Sequence, residues 1–338
     1  MKNIYNYSLK DLENIFIEMG ESKYRASQVF EWLYIKRVKA FNEMTNLKKE
    51  LIDILSNMFS FNTLDIAKIQ KDKGVKKYLF NLNDNNKIEA VLMEHDYGTS
   101  LCISTQVGCN MGCLFCESGR LKKNRNLETY EMVNQILNVE EDTRSRISHI
   151  VIMGIGEPFD NYDSVLKFIE IVNNPKGINI GARHITISTC GLVPKIDIFA
   201  SEKLGVNLAI SLHASSNNIR DYLMPINKVY NIEKIINSVK NYINKTSRRV
   251  TFEYILIKDI NDKKTDALNL VDLLKGINCY VNIIPYNETS NNEFKKSDKV
   301  TTLNFYDILK NNNINVTIRK EFGSKVSAAC GQLRSESR

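Results

Sequence analysis

Four of the seven cysteines, Cys102, Cys109, Cys113 and Cys116, fall within fifteen residues, and the last three stand as C-x3-C-x2-C in the run QVGCNMGCLFC. Three thiolates on one loop are enough to bind three irons of a [4Fe-4S] cube, whose irons take tetrahedral sulfur coordination. The missing fourth ligand leaves one iron open for a substrate or cofactor, much as catalytic zinc sites keep an open position. The competing use of such a loop is structural zinc, with a fourth ligand from His95, His149, His184 or His213. Zinc sites favour paired C-x2-C units, and the sequence holds no second pair. Seven cysteines in 338 residues are sparse and odd in number, which argues against a disulfide scaffold. In a reducing compartment, clustered cysteines point to metal or catalysis.

A ligand loop needs rigid elements to hold it. From residue 99 the chain alternates β and α patterns, with strand-like runs at 100–105, 148–153, 183–189, 206–212, 249–256, 279–285 and 314–319. The best helical pattern lies at 231–243, where Ile232, Ile235, Ile236, Val239, Tyr242 and Ile243 form one stripe behind Asn231 as a cap. Six or seven βα units predict an α/β fold of parallel strands wound as a full or partial barrel, with the active site at the carboxyl ends of the strands. The cysteine run follows the first of these strands.

Ahead of the barrel, residues 76–93 read as two β-rich runs around an Asn/Asp turn, a hairpin. In its second run Glu89, Val91 and Met93 share a face, so Glu89 is a carboxylate on a partly apolar face: an edge-strand charge or a catalytic base. Residues 1–66 read as a small helical domain. Leu12, Ile15, Phe16 and Met19 form a stripe between Ser8 with Asp11 as a cap and Gly20 as a stop, and further helices are expected at 24–38 and 46–58. The expected domains are thus the helices at 1–66, a hairpin extension at 67–98, the barrel at 99–325 and a last segment at 326–338. The charge of +7 is a mild basic excess, and basic residues gather at Arg120, Lys122, Lys123 and Arg125 and at Lys68, Lys71, Lys73, Lys76 and Lys77. Such clusters are a solvated face or a nucleic-acid footprint. The start MKNIYNYSLKDLENIF lacks the apolar core of a signal peptide, and no apolar run approaches the roughly 18 residues of a membrane span. A cytoplasmic protein is expected.

The C-x3-C-x2-C run after the first barrel strand resembles the radical S-adenosylmethionine (SAM) superfamily, and GIGEP at 154–158 resembles its Gly-Glu motif, which grips the SAM amino group. The resemblance narrows with CISTQVGC (102–109), RNL (125–127), ISTCG (187–191), ISLHA (210–214), LMPIN (223–227), RRVTFEYILI (248–257), NIIPYN (282–287) and AACGQL (328–333). These, with YRASQVFEWLY and EMTNL in the helical domain, look like the RNA adenine methyltransferases called RlmN, of which Cfr is the close relative.

That resemblance implies a radical-SAM partial (β/α)6-type, TIM-like barrel holding a [4Fe-4S] cluster on Cys109, Cys113 and Cys116, with SAM as the second cofactor. It implies methylation of carbon 2 of an adenosine in 23S rRNA and of the adenosine 3′ of the anticodon in tRNA. Carbon 2 lies between two ring nitrogens and is not nucleophilic, so radical addition is needed where direct methyl transfer fails. By resemblance, Cys330 first accepts a methyl from one SAM, a second SAM starts the radical step that joins this methyl to adenine, and Cys102 then releases the base by a transient disulfide with Cys330. Glu89 matches the proton acceptor, and Gly156, Glu157, Ser188, Ser211, Leu212, His213 and Asn287 match SAM contacts. Cys190 and Cys279 keep the reading of core residues. An electron donor such as flavodoxin or ferredoxin and a monomeric state are expected with it. Glu117, Glu128 and the pair Phe159–Asp160 depart from the family pattern and bear on RNA preference. The alternatives are Cfr-type methylation at carbon 8, which confers antibiotic resistance, and a non-catalytic RNA-binding protein with structural zinc.

Overall fold

The computed structural model describes residues 1–289, 293–319 and 326–333. Its amino-terminal helices follow their local signals. The Ser8 hydroxyl accepts the Asp11 N–H while the Asp11 carboxylate accepts that of Ser8, and this box opens α1 (Leu9–Glu18), which buries Leu12 and Phe16. The second helix, α2 (Lys23–Glu31), runs into a wide turn over Trp32–Lys36 and stops at Arg37, whose backbone is left-handed at φ 60°. Then comes α3 (Lys49–Met58). This module meets the rest of the chain through polar contacts: Asn6 donates to Glu128 and accepts from the Tyr130 N–H, and Arg37 and Lys39 pair with Glu140 and Glu141.

Ten strands form one sheet in strict chain order. The first three, β1 (Asp65–Asp72), β2 (Val75–Asn81) and β3 (Lys87–His95), are antiparallel, so the expected hairpin is present with one strand more ahead of it. That strand escaped notice because it is a sheet edge with no buried residue, so DIAKIQKD shows no apolar alternation. Then β4 (Gly98–Cys102) pairs antiparallel with β3 and parallel with β5 (His149–Ile152). The parallel run continues through β6 (Ile185–Thr189), β7 (Asn207–Ser211), β8 (Val250–Leu256), β9 (Cys279–Pro285) and β10 (Val316–Ile318). These seven parallel strands correspond to the seven runs read from the sequence, the last being only three residues long and additional to the six of the barrel type that the resemblance implies.

Helices α4 (Thr129–Thr143), α5 (Tyr162–Asn173), α6 (Val193–Phe199), α7 (Ile232–Thr246), α8 (Lys264–Leu274) and α9 (Lys299–Asn311) connect the strands and bury apolar faces against them. The α7 stripe is as expected, with Asn231 accepting the Lys234 N–H. The sheet is open, since β10 pairs only with β9. It must nevertheless curl, because Cys102 of β4 and Ile284 of β9 line the same cavity five strands apart. No helix of the described residues is long and apolar enough to cross a membrane.

Candidate active site

The parallel strands aim their carboxyl ends at one mouth, where loops carry the polar residues. After β4 the chain turns through residues 103–108 into the cysteine loop. Ile103 and Gly154 approach so closely that a Cβ on Gly154 would lie 2.5 Å from the Ile103 carbonyl oxygen. Gly156 has φ 107° and would press a Cβ to 2.6 Å from that of Gln106. Both glycines of GIGEP are therefore required by the packing of the second loop on the first. Glu157 follows with both carboxylate oxygens engaged: Oε1 accepts the Phe159 N–H at 2.9 Å and Oε2 that of Cys190 at 2.7 Å. Burial raises its pKa in spite of these bonds.

Cys109, Cys113 and Cys116 open onto one cavity with Gly156, Glu157, Ser188, Ser211 and His213. Burial pushes the Cys109 thiol up to about 12 and Cys113 well above its ordinary value, and it raises Cys116 as well. Three thiolates at such a place need cations beside them. Among the described residues no three His, Cys, Asp or Glu side chains are grouped tightly enough to hold one metal ion. A cube asks for something else, since each thiolate caps a different iron. Of the four histidines offered as a fourth zinc ligand, His213 alone reaches this cavity, and its Nδ1 accepts the Ile255 N–H at 3.0 Å. Burial and the Arg220 charge lower His213 to about 3. The other three stand at the opposite end of the sheet, where His149 stacks on His184 at 4.4 Å and His95 on Tyr97 at 4.7 Å.

A second, confluent cavity holds the remaining thiols. Cys102 ends β4, and Cys330 comes from the last described segment; both line it with Cys116, Asn287 and Arg319. Burial pushes Cys102 up to about 12, with Cys330 adding to the effect and Arg319 opposing it. Two hydrogen bonds fasten the Cys330 segment to the cysteine loop: the Glu117 N–H donates to Gly331 O at 2.8 Å and the Ser118 hydroxyl to Leu333 O at 2.6 Å. Residues 334–338 of the expected terminal segment, and its expected border at 325, lie outside the described residues. Cys279 is buried as a core residue should be, whereas Cys190, also buried, lines the triad cavity.

Other expected site residues stand further off. Glu89 shares the β3 face of Val91 and Met93, which line the second cavity, but is itself held behind them by a buried ion pair with Lys77 at 2.9 Å. Lys77, expected among the exposed basic residues, is therefore structural; its Nζ also reaches the Ser327 carbonyl at 3.4 Å. Leu212 turns its side chain into the core and offers only backbone, its N–H donating to Glu253 O. The basic cluster after the cysteines is partly spent inside the protein: Lys123 pairs with Asp160 at 2.7 Å, and Arg125 with Asp84 and Glu131. Arg120 and Lys122 remain exposed.

Three of the four residues that departed from the expected pattern, Phe159, Asp160 and Glu128, find local explanations. Phe159 packs on Tyr162 and Phe199, Asp160 accepts from Lys123 and Gln106, and Glu128 caps α4. Two site-shaping residues were missed. Arg220 is fully buried and donates to the carbonyls of Cys190, Ser211, Leu212 and Tyr230, pinning the loops that follow β6 and β7. Arg319, just past β10, lines both cavities.

Comparison with known proteins gives the same picture over the whole length. Residues 103–271 match the Radical SAM superfamily, and residues 2–60 match the Ribosomal RNA large subunit methyltransferase N-terminal domain. A protein of Spiroplasma citri named as a probable dual-specificity RNA methyltransferase RlmN is 51% identical over 340 residues, 99% of this chain and 98% of its own. One of the same name from Enterococcus faecalis is 51% identical over 344 residues, 99% of this chain and 96% of its own. Among solved structures, a radical SAM methyltransferase from Sphaerobacter thermophilus superposes with a TM-score of 0.92 at 40% identity, covering 99% of each chain. Streptococcus suis SuiB bound to its precursor peptide shares the fold alone, with a TM-score of 0.52 at 16% identity over 71% of this chain and 56% of that one.

Proposed function

This chain belongs to the RlmN family of radical SAM RNA methyltransferases, and on that premise we propose that it methylates carbon 2 of adenosine in 23S rRNA and tRNA through the two thiols of its inner cavity. It is a SAM-dependent RNA methyltransferase of rRNA and tRNA adenosine, and its family implies a [4Fe-4S] cluster. The observation that carries the finer reading is the pairing of Cys102 with Cys330 in a cavity that opens onto the cysteine triad.

Cys109, Cys113 and Cys116 would hold the cluster, and Gly156, Glu157, Ser188, Ser211, Leu212, His213 and Asn287 would hold SAM. When bound, these groups supply the methyl and the one-electron chemistry that a non-nucleophilic carbon requires. The chain's own residues do the rest. Glu157, oriented by two backbone N–H groups, keeps lone pairs for an ammonium. Gly156 lets backbone come close to the ligand. Cys330 carries the methyl, positioned by the bonds from Glu117 and Ser118. Cys102 resolves the adduct by forming a disulfide with it. We assign Glu89 as the proton acceptor; it lies behind the Val91 and Met93 side of the inner cavity, and Lys77 links it to the Cys330 segment through Ser327.

The target base must leave its stack to enter, which favours unpaired or loop adenosines. RNA is the partner, held by phosphate contacts that the helical domain and the exposed Arg120 and Lys122 supply. We place the enzyme in the cytoplasm, as a monomer reduced by a flavodoxin or ferredoxin. Mass spectrometry of nucleosides from RNA treated with enzyme, SAM and reductant should give 2-methyladenosine; 8-methyladenosine would make it a Cfr-type enzyme, and no methylated adenosine would overturn the reading.

Arg120 and Lys122 are the exposed basic residues of that cluster, and phosphate contact is assigned to them. Replacing both by Gln should weaken RNA binding and flatten the slope of log affinity against log salt by about 1.4 to 1.8. Filter binding at several salt concentrations measures it, and an unchanged slope would show a merely solvated face.

A further inference from the structure

Inside the curled sheet a row of polar side chains runs on from Ser211 to Glu253 and Asn282, which none of the steps above employs. Strand pairing sets Ser211 of β7 beside Glu253 of β8, and Glu253 beside Asn282 of β9. Asn282 Nδ2 donates to Glu253 Oε1 at 3.0 Å. Oε2 of the same carboxyl has no hydrogen-bond partner among the described residues, although the side chain is 3% exposed. Leaving a buried carboxyl oxygen unpaired is costly, and an apolar residue or a fully paired amide would serve a purely structural position better. This oxygen does not face packed core: Glu253 lines the cavity of the cysteine triad, with Ser188 and Ser211 beside it, their hydroxyl oxygens 3.3 Å apart.

We propose that Glu253 is a further binding residue for the nucleoside end of SAM, its free Oε2 pairing with a ribose hydroxyl. The assignment rests on the reading of this cavity as the SAM site. The cysteine loop follows β4 and Glu157 follows β5, whereas Glu253 lies on β8, three strands further along the sheet. The amino-acid end of the cofactor belongs with the open iron and Glu157, so the donors left for Glu253 belong to the other end. Of these, a hydroxyl fits best. Burial raises the pKa of this carboxyl while the charge of Arg319 opposes the rise. A hydroxyl donates to the carboxylate and accepts from the acid, whereas the adenine amine only donates. The adjoining Ser188 and Ser211 hydroxyls then suit the second member of a vicinal diol.

The test uses cluster-reconstituted protein and S-adenosylhomocysteine, whose binding requires no turnover, together with its 2′-deoxy and 3′-deoxy forms. Calorimetric titration should show Glu253→Ala weakening S-adenosylhomocysteine about 10- to 100-fold. One of the deoxy forms should lose a comparable factor against the parent protein and less than about twofold against Glu253→Ala. Glu253→Gln, which keeps the shape of the side chain and its bond partners, should show the same shrinkage of the deoxy penalty in smaller degree and guards against a variant that misfolds. A deoxy penalty that persists undiminished in both variants would overturn the assignment and make Glu253 a structural neighbour of Arg319, while SAM binding by the parent would stand. A parent that binds none of these nucleosides would overturn the reading of the cavity and the assignment with it.

Discussion

Replacing Cys102 by alanine should leave the protein and its RNA covalently joined. In the proposed sequence Cys330 bears the methyl carbon that becomes bonded to adenine, so a thioether ties enzyme to RNA until a second thiol takes over the Cys330 sulfur. Cys102 ends β4 in the inner cavity, where the other cysteines among the described residues are Cys330 and the iron-binding Cys116; Cys190 borders Cys330 only in the triad cavity. Thioethers are inert to ordinary hydrolysis, and disulfide formation needs a thiol within reach. Turnover should stop at no more than one equivalent, a loss of at least about 10³-fold in steady-state rate given that nothing else cleaves the bond. On a denaturing gel the variant should migrate with labelled RNA in a band that requires SAM, reductant and an intact Cys330. The double variant Cys102→Ala with Cys330→Ala should give no such band and no methylated protein. Normal turnover by the single variant, with no adduct, would reduce Cys102 to a buried core residue.

The second large effect is expected at the iron ligands. Alanine at Cys109, Cys113 or Cys116 should remove the cluster and all detectable methylation while the fold survives. The loop packs Met111, Leu114 and Phe115 into a small satellite cluster, and the main sheet core is built from other residues. Circular dichroism should therefore match the parent, while iron content and the brown absorbance after anaerobic reconstitution should be lost. Retention of full iron and full activity by any of the three would refute the ligand set.

The fold was largely legible because parallel strands buried on both faces read as apolar runs; β5 to β10 each fall inside an expected run, and β4 overlaps its run while starting two residues earlier. The triad was legible because spacing in a loop is a local property. Long-range polar pairing was not. Lys77 looked like one of several hairpin lysines, since nothing near it shows that Glu89 lies diagonally across on the neighbouring strand. Arg220 sits in the helix Asn217–Leu223 among residues typical of a surface, and its carbonyl partners come from two separate strand tips. Glu253 did leave a signal: a lone carboxylate in the apolar run VTFEYIL, where an interior strand position calls for a special reason.

The strict chain order of the sheet also sets a timetable for synthesis. Each strand pairs with the one made just before it, so a chain leaving the ribosome meets a ready edge at every step and avoids the slow search that distant pairings impose. The cysteine loop emerges after only four strands, whereas Arg319 and Cys330 follow all ten. A nascent chain thus owns the proposed place for the cluster long before it owns the proposed methyl acceptor. The last part of the proposed site to be made is the Cys330 segment, and a chain interrupted before it is left with strands and no thiol at that position.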